Sequence, residues 1–495
     1  MMATVKSCPL VDIGAPDIEA LRLPAARGAP DLDRAHPHHR PGLPGRSSTR
    51  SANKWLMVLD QVGYATLEAA LAPPARSSLV PLELTYLPRT TPVGHATIST
   101  GAWPSQHLIQ GRSWCEVDRG RIHRVHRVSQ LPHLFPVAGT VFEDLQASSL
   151  ARRLRREADP ADTAIVAIAT KDFIPFLFGA WDTDVSVYPR TTSPLRIAGE
   201  FAGEFAIDVV FDTFTVRGAI AVAAARSALL AQASALFVAA PSAPGTWAAR
   251  WLDPTPGLLG PAHVRHAMRW TLPRSWGATE PRIRHAWKRF LDARILDIDA
   301  FYVEAAHQLL SGIDAGRRIV LQSAVATDTY GHFHGPSSLQ YQRALAAGIG
   351  RAEALHAAGW TVLVTSDHGG RDTPSWWRAT GHTLSSGTAA VALPPALRVV
   401  LEGDHVVGYG SHADAFLSRA SWSTVPPLLV PIAAIPGALR ANSFHATQTP
   451  AWVVLPGPGA LITDAPILRG GGGSHGGCVD AAGDLSEVDG QVPLW

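Results

Sequence analysis

Val364-Thr365-Ser366-Asp367-His368-Gly369-Gly370 follows the apolar run Trp360–Val364 and sets a carboxylate and an imidazole side by side just past a strand-type segment. Two further stretches repeat the arrangement. Ile319–Val325 is apolar and leads into Thr327-Asp328-Thr329-Tyr330-Gly331-His332-Phe333-His334-Gly335-Pro336, and Trp55-Leu56-Met57-Val58-Leu59 ends in Asp60. Three buried-type strands thus each end in an Asp, and two of them also bring a His. Open α/β sheets collect ligands at the carboxyl ends of their strands. Asp and His together, without clustered Cys, suit a divalent metal of the zinc kind. The pattern predicts a metal-dependent enzyme.

The rest of the chain supplies the framework for such a sheet. Apolar runs at 55–60, 164–169, 318–325, 361–366 and 451–455 read as strands, and 65–72, 145–157, 218–236, 298–311 and 339–358 read as helices. Strands spaced by helices predict an α/β/α sandwich with a mainly parallel central sheet. Residues 240–290 are Trp- and Pro-rich with weak periodicity and read as part of a cap inserted around 173–297. Trp247, Trp251, Trp270, Trp276 and Trp287 would either stack a substrate ring or pack the cap. Residues 1–52 hold AHPHHRPGLPGR (35–46) and read as a flexible extension whose His36, His38 and His39 are solvated. The catalytic domain is expected over 53–495. Gly470–Gly473 lacks a following Lys and is no P-loop.

Composition narrows the function classes. The 495 residues are 46% hydrophobic and 17% charged, enough for a large core. A formal net charge of +2 gives no strong field for nucleic acid. Cys8, Cys115 and Cys478 are too few and too scattered for a disulfide framework or a thiolate metal site. The first residues lack the apolar core of a signal peptide, so a cytoplasmic location is expected. Ala219–Ala240 is apolar but Ala-rich and broken by Arg226, and reads as a soluble helix rather than a membrane span.

Arg89-Thr90-Thr91-Pro92-Val93-Gly94-His95-Ala96-Thr97-Ile98-Ser99-Thr100-Gly101 reads as a short helix with Thr91 as N-cap, Pro92 at its first position and Gly101 as its stop. A hydroxyl there lies beside unpaired backbone N–H groups, a ready anion site. A neighbouring metal would activate it as a nucleophile.

Taken in order, these segments resemble the alkaline phosphatase superfamily, closest to its phosphodiesterase/nucleotide pyrophosphatase branch and to the phosphate-irrepressible alkaline phosphatases. The resemblance rests on Asp60, Thr91…His95…Thr100-Gly101, Asp328-Thr329-Tyr330-Gly331-His332-Phe333-His334-Gly335-Pro336, Ser366-Asp367-His368-Gly369, Ser474-His475-Gly476 and Val492-Pro493-Leu494. It spans about residues 54–495. It implies two zinc ions, with Mn2+ as a substitute: one held by Asp328, His332 and His475, the other by Asp60, Asp367, His368 and the Thr91 oxygen. It implies phosphoryl transfer from a small phosphate ester through a phospho-threonine at Thr91. Lys171 matches a lysine that grips a phosphoryl oxygen in the phosphate-irrepressible enzymes. Two positions depart from that pattern: Phe173 stands where those enzymes have an arginine, and Arg112 where they have an asparagine. Arg112 would then replace the missing charge on the substrate. The implied roles of His95, His334 and His382 are structural. Thr91-Pro92-Val93-Gly94-His95 lacks the C/S-x-P-x-R sequence of a sulfatase. Phosphodiesters, or a non-catalytic binding role, are the competing expectations.

Overall fold

The computed structural model describes residues 53–111, 113–116, 121–124, 148–192, 206–238, 248–256, 263–271, 280–373, 377–378, 398–402, 405–409, 428–456, 462–463, 473–476 and 490–495. Its frame is a ten-stranded sheet. In chain order the strands are β1 (Lys54–Leu59), β2 (Val80–Glu83), β3 (Thr163–Ala169), β4 (Val185–Thr192), β5 (Ala206–Thr213), β6 (Ala248–Pro256), β7 (Val264–Thr271), β8 (Arg317–Ala324), β9 (Thr361–Thr365) and β10 (Gln491–Leu494). In space they run β2-β10-β9-β1-β8-β3-β4-β5-β7-β6. The middle of the sheet, from β9 through β1, β8 and β3 to β4, is parallel. Both flanks are antiparallel.

Why the middle strands read as unbroken apolar runs is visible in their packing. A strand covered on both faces needs apolar side chains at odd and even positions alike. Every residue of β3 is buried. Ala164, Val166 and Ile168 join one core with Trp55, Met57, Leu59 and Val320. Ile165, Ala167 and Ala169 join the opposite core with Val58, Ile319 and Leu321. The helices α1 (Tyr64–Ala70), α2 (Thr91–Thr100), α3 (Leu150–Glu157), α4 (Val216–Val238), α5 (Glu280–Ser311), α6 (Ala326–His334) and α7 (Leu339–Ala357) cover the sheet. Leu67, Val222, Leu309 and Leu345 pack in the first core, and Ala96 and Ala151 in the second. The architecture is therefore the expected α/β/α sandwich.

Two local expectations, the placing of one strand and the start of one helix, are corrected. The strand at Trp452–Leu455 does not enter the central sheet. It lies in a separate four-stranded antiparallel sheet with Arg398–Glu402, His405–Tyr409 and Leu428–Pro431. There the Trp452 indole lies over Gly408, so close that a Cβ on Gly408 would overlap it. The described part of 173–297 adds β4 to β7 to the edge of the central sheet. The helix read at 298–311 starts eighteen residues earlier, at Glu280. By length and composition alone α4 could cross a membrane; Ala221, Val222, Leu229 and Ala233 on its inner face are in the main core.

Candidate active site

Four neighbouring strands in the order β9-β1-β8-β3 finish at one edge, and each hands a polar group to the same place. Past β1 comes Asp60, whose N–H still donates to Ala324 O at 3.1 Å, so the ladder holds the carboxylate at the strand tip. Past β8 the chain turns into α6, which carries Asp328 and His332 one turn apart. Past β9 come Asp367 and His368, and past β3 comes Lys171. His475 arrives from Gly473–Ser474, a two-residue strand paired with Arg371–Asp372. All except Lys171 and His332 are buried.

These residues converge. The Lys171 ammonium lies 2.6 Å from Asp60 Oδ2 and 2.9 Å from Asp328 Oδ2. It also donates to Thr91 Oγ1 at 3.0 Å. Asp328 Oδ1 faces His332 Nε2 at 3.2 Å and His475 Nε2 at 3.8 Å. His368 Nε2 is 3.5 Å from Asp60 Oδ1 and 3.2 Å from Asp367 Oδ2, and its ring stacks on His475 with centroids 3.7 Å apart. Asp367 Oδ1 accepts from the N–H of Gln61 at 3.2 Å and of His368 at 3.0 Å. Of the residues read from sequence, Arg112 and His382, the N-terminal His36, His38 and His39, and Trp247 and Trp276 lie outside the described residues.

Electrostatics follow from this crowding. Burial pushes the Asp60 carboxyl well above the usual carboxylate range, and the charges of Asp328 and Asp367 push it further. Burial also opposes ionisation of Asp328, but Lys171 and His332 outweigh it and hold that group well below the usual value. Asp367 is held at about 2, His368 and His95 outweighing its burial. Burial would lower Lys171, yet Asp328, Asp60 and Asp367 raise it. His368 is lowered by burial despite Asp367, which keeps its ring neutral, the form that binds metal. Among the described residues, three carboxylates thus face one ammonium.

That charge deficit suits divalent cations, and so does the donor set of carboxylate oxygens and imidazole nitrogens. Asp328, His332 and His475 each bring a donor atom within 4.8 Å of the others, and so do Asp60, Asp328 and His368. The first trio has the composition expected from sequence. In the second, Asp328 takes the place expected for Asp367, which adjoins it through His368.

Helix α2 differs by one residue from the sequence reading. Gly94 N donates to Thr90 O at 2.9 Å, so Thr90 is the N-cap and Thr91 the first helical residue. Thr91 is therefore not spent on capping. The residue is 1% exposed, and its hydroxyl faces Lys171, His368 Nε2 at 3.3 Å and Asp60 Oδ1 at 3.5 Å. His95, one turn on, braces the helix: Nδ1 lies 2.9 Å from Thr91 O and 3.2 Å from Asp367 Oδ2, and Nε2 2.9 Å from Ser323 Oγ. His334 contacts Asp292 at 2.5 Å, away from the cluster.

Gly94 shows how tightly α2 is seated. A Cβ there would overlap the carbonyl oxygen of Asp367 and lie 2.7 Å from its Cβ. Helix propensity alone makes Gly94→Ala stabilising by up to about 1 kcal/mol. The packing reverses the sign, and we expect a loss of about 1–3 kcal/mol, the usual cost of overpacking. Thermal unfolding checks it: a raised melting temperature would show that α2 can move off Asp367.

Sequence reading missed two supports. Asp299 on α5 accepts from Val325 N at 3.3 Å and Ala326 N at 3.0 Å, capping the helix that carries Asp328 and His332. Its burial pushes it up to about 6. Ser366 Oγ accepts from Val62 N at 2.9 Å and so ties the β9 loop to the β1 loop. Ser366 stood within a quoted motif, whereas nothing in the spacing of Asp299 pointed to α6.

The fold so assembled is similar to that of alkaline phosphatase. The chain superposes on wild-type alkaline phosphatase PafA with a TM-score of 0.52 at 14% identity, covering 92% of this chain and 91% of that one. Against a quadruple variant of the same enzyme the values are 0.55 and 13%, with the same coverage. Phosphonoacetate hydrolase from Sinorhizobium meliloti 1021, in complex with phosphonoformate, matches at 0.47 and 14% over 90% of this chain and 89% of that chain. No protein-family model and no curated protein matches the sequence.

Proposed function

We propose that the protein is a metal-dependent phosphoesterase that hydrolyses small phosphate monoesters through a phospho-threonine at Thr91. The observation that carries this reading is the Thr91 hydroxyl, buried at the start of a helix and 3.0 Å from the Lys171 ammonium. In this reading Asp328, His332 and His475 hold one ion, and Asp60, Asp367 and His368 the other, with Asp328 close enough to both to steady them together. Two Zn2+ ions, or Mn2+ in their place, would supply Lewis acidity at the attacking and leaving oxygens. The chain's own residues do the rest. Asp60 and Lys171 hold the Thr91 Oγ1 in place, Asp60 being the nearest carboxylate to receive its proton. The N-terminus of α2 offers backbone N–H groups to an anion. Attack by Oγ1 on phosphorus breaks the bond to the leaving oxygen, and water then cleaves the Thr91–phosphate bond.

Substrate class follows from charge. A phosphomonoester dianion carries one more negative charge than a diester, and a cation aimed at the extra oxygen favours it in the transition state. Lys171 is that cation, with Arg112 as the second donor. Lys171→Ala is expected to raise the barrier for a monoester by about 2–4 kcal/mol, the size of losing one preorganised donor, while diester turnover changes less. Comparing kcat/KM for p-nitrophenyl phosphate and bis-p-nitrophenyl phosphate reads this directly. Equal losses on both would make Lys171 a general support of the site.

One observation favours phosphodiesters instead. Phe173, two residues past Lys171, is buried and apolar where the phosphate-irrepressible enzymes carry an arginine. A wild type that prefers bis-p-nitrophenyl phosphate would select that reading. A protein that binds metal and turns over neither ester would be a non-catalytic relative.

A further inference from the structure

Gln61 follows Asp60 directly and breaks two rules. Its φ is +65°, a left-handed backbone that side chains with a Cβ rarely adopt. Its side chain is fully buried, yet neither amide atom has a hydrogen-bond partner among the described residues. A glycine would avoid both costs. Strain retained at a site is a reason to look for a function there.

What the residue touches indicates that function. Its N–H donates to Asp367 Oδ1 at 3.2 Å, and its C=O accepts from Tyr341 Oη on α7 at 2.7 Å. Its side chain lies against two glycines on different ligand-bearing segments. A Cβ on Gly331, beside His332, would overlap the Gln61 amide oxygen. A Cβ on Gly370, two residues past His368, would lie 2.5 Å from Gln61 Cγ and 2.7 Å from its amide nitrogen. The amide therefore fills the gap between α6 and the β9 loop, while the left-handed turn points it there.

We infer that Gln61 is a positioning residue, a spacer that sets the separation of the Asp328/His332 and Asp367/His368 segments and so of the two ion sites. The role rests on the two-metal reading above. Gln61 acts through the ligands it separates. Gly331 and Gly370 are small because the spacer needs the room.

The test measures metal binding, apart from turnover. Zn2+ affinity is titrated against a competing chelator, and Co2+-loaded protein gives a visible absorption spectrum that reports ligand geometry. Gln61→Gly is expected to bind at least one Zn2+ about tenfold or more weakly, the range seen when a group supporting a ligand is removed, with shifted Co2+ bands. Circular dichroism checks folding. Should Gln61→Gly not fold, Gln61→Asn, which tolerates the left-handed backbone with a shorter amide, is read in the same way. A double-mutant cycle adds a second measurement: Gly331→Ala should weaken binding in the wild type and much less beside Gln61→Gly. Unchanged affinity and spectrum, or additive penalties in the cycle, overturn the proposal. A wild type that takes up no ion overturns the metal reading and this one with it. A wild type that loads two ions beside a variant that loads them equally overturns only the role of Gln61.

Discussion

Thr91→Ala is expected to lower turnover by about a thousandfold or more, the scale of removing the group that forms a covalent intermediate. The argument has two sides. The hydroxyl is within reach of Lys171 and Asp60 and faces the cluster of Asp and His side chains. It also makes no capping bond, because Thr90 occupies the cap. Losing it therefore removes no helix-capping contribution, and the change in stability should stay within about 1 kcal/mol, as for other mild substitutions. Lys171 keeps Asp60 and Asp328 as partners, so no buried charge is stranded. Thr91→Ser restores an oxygen at the same position and should recover part of the rate. Steady-state kinetics on p-nitrophenyl phosphate, with circular dichroism as a folding check, reads all of this. An Ala variant near the wild-type rate would remove Thr91 from the mechanism.

The site was legible because its residues sit where the sheet logic puts them. Asp60, Asp328, Asp367 and His368 each follow an apolar run, and strands buried on both faces announce themselves as such runs. The flank of the sheet carries no such signature. β5 reads Ala-Ile-Asp-Val-Val-Phe-Asp-Thr, and its Asp208 and Asp212 are buried. They stand directly opposite Arg269 and Arg265 of β7, and each pairs with the arginine opposite it. Buried charges paired across strands look like solvated loop in a sequence, because each half is polar and its partner lies more than fifty residues away. The Trp452–Leu455 run was read as a strand, but local periodicity does not name the neighbour that it pairs with. The left-handed Gln61 was invisible for another reason: only glycine advertises such a backbone.

Removing metal is expected to abolish activity and to lower stability, and the charge balance of the site explains both. Asp60, Asp328 and Asp367 are buried together with Lys171, the one ammonium facing them among the described residues. Without further cations the carboxylates repel one another, and the charges of Asp328 and Asp367 add to burial, the larger cause, in raising the Asp60 carboxyl. Ions that bind the folded chain stabilise it by mass action, about 4 kcal/mol for a ligand at a thousand times its dissociation constant. A chelated protein should therefore melt several degrees lower, and added Zn2+ should restore both melting temperature and rate. Asp367→Asn sharpens the test. It keeps an acceptor for the N–H groups of Gln61 and His368 but removes one negative charge and one donor oxygen. That variant should hold one ion fewer by elemental analysis and turn over at least about a hundredfold more slowly, since the remaining donors no longer neutralise the second ion. Full activity in protein shown by elemental analysis to contain no metal would end the two-metal reading. Full metal content in Asp367→Asn would show that Asp328, shared between the two trios, holds the second ion without it.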